Sequence, residues 1–159
     1  DINKLDSNSF YNYQTPEGRG DISKKKFNKK NIYLIDESYN SNPLSLNSAI
    51  KNFDSIKTNK SKKHLILGDM LELGPTSHEQ HRKVGKKCTE LDLDGVFTLG
   101  QNTIYTDSMI NNGIDHKHFE SHDELIHSLK EIVHSGDKIL FKGSRGMAME
   151  KVIQGVFAD

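Results

Sequence analysis

Tyr33-Leu34-Ile35-Asp36-Glu37-Ser38-Tyr39-Asn40-Ser41-Asn42-Pro43 decides how this chain folds. The unbroken apolar run Ile32–Ile35 has the pattern of a strand covered on both faces. It ends in two acids and a cluster of hydrogen-bonding side chains. Pro43 then suits the first turn of a helix, and Leu46, Ala49, Ile50 and Phe53 follow at helical spacing. The stretch is therefore a strand, a polar turn and a helix. In open α/β sheets ligands bind at that kind of turn, beyond the carboxyl ends of the strands.

The same alternation runs outward in both directions. Upstream, residues 21–27 read as a short strand and Asn28-Lys29-Lys30 as a polar turn, so 21–36 forms a hairpin. Downstream, His64–Leu67, Gly95–Leu99, His116–Phe119 and Asp137–Phe141 read as strands. Ser77 caps a helix reaching about Thr89. Residues 103–111 suggest a short helix. Ser121 with Glu124 opens another in capping-box spacing, with Leu125, Leu129, Ile132 and Val133 as its buried face. Met147–Phe157 closes the chain as a helix. Strands alternating with helices imply a parallel sheet with crossover connections. The expected fold is α/β, a Rossmann-like, doubly wound, mostly parallel sheet with helices on both faces and an N-terminal antiparallel hairpin strand.

A chain of 159 residues is one domain with a real core. Lys plus Arg and Asp plus Glu both total 22, so no net field steers the domain toward nucleic acid or an anionic membrane. Lysines cluster at 24–26, 29, 30, 60, 62 and 63, without interleaved aromatics, and read as solvated hairpin and loop residues. Cys88 is the only cysteine; an intrachain disulfide is excluded, a reducing cytosol fits, and a small buried apolar role suits its helical context. No apolar run approaches the roughly 20 residues of a membrane span, and no signal-peptide pattern opens the chain. Residues 1–17, polar and without an initiator Met, read as a linker or the end of a preceding domain. The chain thus reads as a fragment of a longer, cytoplasmic protein, with its domain at 18–159.

Four loops follow strands: 36–43, 68–76, 100–104 and 142–146. Glu37 can accept hydrogen bonds from ribose hydroxyls, or serve as a helix N-terminal acid that favours the dipole. Asn40 and Asn42 read as turn and cap residues. In Lys142-Gly143-Ser144-Arg145-Gly146 the glycines let the backbone approach a ligand, and Arg145 offers a planar fork for a carboxylate or phosphate. A helix N-terminus behind it would favour the same anion; the competing reading is a flexible loop with a solvated Arg. Gly68–Gly74 mixes acids and apolar residues, as either a binding loop or an ordered connection. His78 and His81 stand three apart on a helix and read as surface or packing histidines rather than metal ligands, and His116 and His118 as edge-strand residues. Neither a G-x-x-x-x-G-K-[ST] loop nor a G-x-G-x-x-G fingerprint is present, so a phosphate cradle for a nucleotide triphosphate would have to come from elsewhere.

Three blocks resemble the C-terminal domain of the Mur ligases that build the peptidoglycan stem peptide. They are Ile35 to Pro43; Leu67 to Gly74 with His81-Arg82-Lys83-Val84-Gly85; and Phe141 to Met147 with Met149-Glu150-Lys151. Gly18-Arg19-Gly20 stands where that family places an arginine before its last domain, and the match runs from about residue 16 to the end. The first and third blocks point to the branch that adds D-alanyl-D-alanine to UDP-N-acetylmuramoyl-tripeptide. The resemblance implies a three-domain enzyme that forms an amide through an acyl phosphate. ATP is implied as cofactor, with Mg2+ held mainly by the central domain, and the fragment alone is expected to be inactive with no catalytic or metal-ligating residue of its own. Its implied partners are the tripeptide, the dipeptide and its own N-terminal and central domains. Arg19, Glu37, Asn40 and Asn42 match nucleotide-binding positions, while Ser144 and Arg145 match the loop for the dipeptide carboxylate. Glu37 replaces the usual Asp, which leaves neighbouring Asp36 as a second candidate for the ribose, and Ala148 replaces a longer basic residue. A non-catalytic nucleotide- or anion-binding module and a sister ligase with another amino-acid substrate are the alternatives.

Overall fold

The computed structural model describes residues 21–58, 60–111 and 113–158; Arg19 and the linker expected at 1–17 lie outside them. The elements run β1 (Asp21–Phe27), β2 (Lys30–Glu37), α1 (Pro43–Asp54), β3 (Lys63–Gly68), α2 (Ser77–Thr89), β4 (Gly95–Leu99), α3 (Thr103–Asp107), β5 (Asp115–Phe119), α4 (His122–Ile132), β6 (Lys138–Lys142) and α5 (Met149–Phe157), with 3-10 turns at Gly74–Thr76 and Arg145–Met147. They form a six-stranded sheet in the order β1-β2-β6-β3-β4-β5. β1 pairs with β2 antiparallel, and every other pair is parallel. Phe27 faces Lys30 across a two-residue turn. Asn28 and Lys29 there take φ values of 48° and 65°, both positive, as a turn matching the strand twist requires.

Period-two alternation splits the strands between two cores. Ile32, Leu34, Ile66, Phe97, Leu99, Ile139 and Phe141 point to one face, where α4 and α5 contribute Leu125, Leu129, Val152 and Val156. Leu65, Leu67, Val96 and Leu140 point to the other, under Leu46, Ile50 and Phe53 of α1 and Cys88 of α2. β2–α1–β3, β3–α2–β4 and β4–α3–β5 cover this second face as the chain steps outward. The α4 crossover then returns on the first face and inserts β6 between β2 and β3. Burial pushes the Cys88 thiol up to about 12, so it stays protonated at physiological pH and packs as an apolar group.

Some local expectations change. Ser77 is the first residue of α2 rather than its cap, because the 3-10 turn delivers the chain already helical and the Thr76 side chain makes no capping bond. Residues 103–111 are helical only to Asp107. The closing helix starts at Met149, not Met147, because Ala148 turns left-handed at φ 51° between the 3-10 turn and α5. Lys63 is not a solvated loop residue: it is buried, and its ammonium donates to the Asp54 carbonyl at 2.9 Å. β5 is an edge strand, where His118 pairs with Thr98 and His116 with Asp107.

At the amino ends of the central strands, Asp137 accepts hydrogen bonds from the amides of Lys62 (3.0 Å) and His134 (2.9 Å) and from His64 Nε2 (3.0 Å). Burial pushes the Asp137 carboxyl up, but the bonds from His64 and the two amides outweigh it and hold the group below its ordinary value. Its contribution to stability is therefore present above the ordinary carboxylate pKa and is lost as pH falls through the lower folded value. Asp137→Asn is expected to destabilise the domain by roughly 1–3 kcal/mol at neutral pH. In urea denaturation the gap to wild type should narrow once pH drops below about 4.

Candidate functional site

The strand order sets the loops after β2, β6, β3 and β4 side by side at the carboxyl edge. The close fit of the middle two rests on glycine: a Cβ on Gly143 would lie 3.0 Å from the Gly68 Cα.

In loop 36–43, Asp36 is engaged locally, its Oδ1 accepting from the Ser38 amide at 2.9 Å. Glu37, the next residue, points to the opposite face, towards α1, with its side chain 29% exposed. The Asn40 Oδ1 accepts from the Ser41 amide at 2.8 Å. Asn42 caps α1: its Oδ1 accepts from the Ser45 amide at 2.9 Å, and Ser45 Oγ accepts from the Asn42 amide at 3.1 Å. Each amide oxygen thus already accepts one bond from its own turn, while the side-chain N–H groups remain to offer a ligand. The Ser41 hydroxyl is buried without a hydrogen-bond partner.

Lys142 ends β6 with its side chain only 3% exposed. Its ammonium donates to the Asn40 carbonyl at 2.7 Å and stands 3.5 Å from Glu37 Oε2. Burial lowers the Lys142 pKa, against the opposing pull of the Glu37 carboxylate. Ser144 is also buried. Its Oγ accepts from the Leu71 amide at 2.7 Å and donates to the Ser41 carbonyl at 3.3 Å, while its amide donates to the Asp69 carbonyl at 2.9 Å. Ser144 thus ties three loops together. Arg145 is exposed, with its guanidinium carbon 5.3 Å from the centre of the Tyr39 ring, a stacking distance. The 3-10 turn and the left-handed Ala148 separate it from α5, so the helix N-terminus expected directly behind Arg145 is displaced by a turn.

Gly68–Gly74 is an ordered connection. Asp69, buried, accepts from the Asn102 amide (3.0 Å), the Asn102 side chain (3.1 Å) and the Thr103 amide (2.8 Å), and so caps α3 from a distance. His81, also buried, donates from Nδ1 to the Ser77 carbonyl at 2.7 Å and accepts at Nε2 from the Met70 amide at 3.1 Å, which fixes its tautomer. His78 stacks on Tyr105 at 4.0 Å. The packing role read for His81 from the sequence is the one it has. Lys142 and Tyr39 carried no individual reading; an inward-facing lysine closing an apolar strand was the available signal for the first, and the second had none.

The structure thus brings together Glu37, Asn40 and Asn42 on one loop and Ser144 and Arg145 on its neighbour. The exposed groups are a carboxylate, amide N–H donors and a guanidinium. The carboxylate acceptor suits ribose hydroxyls and the N–H donors suit anionic oxygens, without a phosphate cradle among the described residues.

Known proteins resemble this chain in sequence and in fold. The family model for the Mur ligase glutamate ligase domain matches residues 18–145. The UDP-N-acetylmuramoyl-tripeptide–D-alanyl-D-alanine ligase of Bacillus subtilis is 33% identical over 129 residues, 77% of this chain and 27% of that protein. Its counterpart from Buchnera aphidicola is 35% identical, over 81% of this chain and 28% of that one. A crystal structure of MurF from Acinetobacter baumannii superposes with a TM-score of 0.79 at 27% identity, covering 93% of this chain and 32% of that chain. MurF ligase from Thermotoga maritima, in complex with ADP, superposes with a TM-score of 0.74 at 25% identity, covering 91% and 31%. The chain therefore spans less than a third of the length of these relatives.

Ser144→Ala would remove the acceptor of the Leu71 amide and the donor to Ser41. A loss of roughly 1–3 kcal/mol in folding stability is expected, read from chemical denaturation.

Proposed function

The chain belongs to the Mur ligase family, as its C-terminal, glutamate ligase domain, and from that premise we propose that it serves an ATP-dependent ligase joining D-alanyl-D-alanine to UDP-N-acetylmuramoyl-tripeptide. The observation that carries the proposal is the pairing of two loops of different chemistry on adjacent strands, bridged by Lys142. The names of the curated relatives support the substrate pair, and a solved relative with ADP supports the nucleotide. ATP, when bound, supplies the phosphoryl group that makes a carboxylate reactive toward an amine.

Within this reading Glu37 accepts hydrogen bonds from the ribose hydroxyls; Asp36 already accepts from its own turn. Asn40 and Asn42, whose amide oxygens each accept a bond from their own turn, donate N–H to phosphate oxygens. Arg19 adds a cation from outside the described residues. Arg145 grips the dipeptide carboxylate with its planar fork. Ser144 orients that loop, and a further bond to the dipeptide would use its remaining lone pair or displace the long 3.3 Å contact to Ser41. The phosphate cradle, the Mg2+ site and the UDP-sugar site fall to the central and N-terminal domains.

The full-length enzyme should release ADP only when both the tripeptide and D-alanyl-D-alanine are present. No release under any condition, together with calorimetric binding of ATP by the isolated domain, would favour a non-catalytic nucleotide-binding module, and dependence on another amino acid would favour a sister ligase. Arg145→Ala should weaken use of the dipeptide by roughly 1.5–3 kcal/mol with little change in the KM for ATP. Glu37→Gln should show the opposite order, with ATP affected first. Steady-state kinetics with each substrate varied checks both.

A further inference from the structure

The carboxyl edge holds a buried charged group to which the proposed function gives no role toward either substrate. Lys142 is buried to 3% exposure while Glu37 is 29% exposed. A lysine is rarely buried unless its charge is matched. Here the matching groups both come from the loop after β2, across |i−j| = 102 in the case of the Asn40 carbonyl. The register explains the encounter: Glu37 and Lys142 are direct partners at the ends of parallel β2 and β6, so both side chains leave the sheet on the same face. The ammonium sits 2.7 Å from the Asn40 carbonyl and 3.5 Å from Glu37 Oε2. This holds Glu37 from the buried side through one oxygen, while the partly exposed carboxylate keeps its second oxygen for a ligand. Without Lys142, Glu37 would be free to adopt other rotamers, and the Asn40 carbonyl would lose its donor.

We propose that Lys142 is a positioning residue for the nucleotide subsite, its buried ammonium holding the Glu37 carboxylate and the loop at Asn40 in the arrangement that receives the ribose hydroxyls. This rests on the assignment of Glu37 to the ribose. Lys142 touches no nucleotide atom itself; it acts through Glu37. It also begins the loop that carries Arg145, so the two subsites share one anchor.

The test compares ATP with 2′-deoxy-ATP and 3′-deoxy-ATP in the full-length enzyme. Wild type should prefer ATP to at least one deoxy analogue by about tenfold in KM, the worth of one hydrogen bond to a charged group. Lys142→Met should collapse that preference toward unity, and Lys142→Arg should restore part of it. A general loss of structure would raise all three nucleotide KM values together and leave their ratio intact. Should Lys142→Met fail to fold by thermal melting, Lys142→Gln, which keeps a donor for Asn40, takes its place. A variant that keeps the full wild-type preference overturns the role of Lys142 and leaves the ribose assignment standing. A wild-type enzyme with no preference overturns the ribose assignment, and the positioning role with it.

Discussion

Everything at the carboxyl edge depends on the insertion of β6 between β2 and β3. Lys138–Lys142 pairs with Tyr33–Glu37 on one side and Lys63–Leu67 on the other. Ile139, Leu140 and Phe141 are essentially sealed from water, so no register other than one satisfying both ladders leaves the backbone hydrogen-bonded. This last strand brings its own loop between two others, Ser144 reaching Ser41 103 residues back and Leu71 73 residues back. The two glycines at the junction let the backbones approach as closely as that insertion demands.

The two edges of the sheet carry similar hubs with different consequences. At the amino edge, Asp137 collects the Lys62 and His134 amides and His64, and all of these are turned inward. At the carboxyl edge, Lys142, Ser144, Asp69 and His81 are likewise bonded to protein partners. They are surrounded, however, by groups that keep some capacity: the second oxygen of Glu37, the amide nitrogens of Asn40 and Asn42, and the guanidinium of Arg145. A buried polar group costs several kcal/mol unless paired, so most of the inward members are paired within the fold, the Ser41 hydroxyl and His64 Nδ1 excepted. Binding chemistry is left to the outward ones. That division also separates Asp36 from Glu37. Successive strand residues face opposite ways, and the turn claims one carboxylate while the lysine steadies the other.

Much of this was legible in the residues. The apolar run ending in Asp36-Glu37, the N1 proline at 43 and the Asn42 cap identified a strand, turn and helix because each rests on local chemistry. The hairpin, the parallel strands and helices on both faces followed from periodicity. Ser77 and Met147 misled because a 3-10 turn precedes each of the helices concerned, and a short turn leaves no periodic trace. Lys63 and Asp137 were unreadable as hubs, since their partners lie beyond any local window.

The sequence by itself determined the elements, the class of sheet and the chemical character of each loop, because caps, turns and alternation act over a few residues. Only the tertiary structure decided which loops meet. It paired Glu37 with Lys142, hung three loops on the Ser144 hydroxyl, buried His81 behind Met70 and moved the last helix away from Arg145. Those outcomes depend on strand order and on the need to satisfy buried polar groups across long separations. Neither leaves a mark on neighbouring residues.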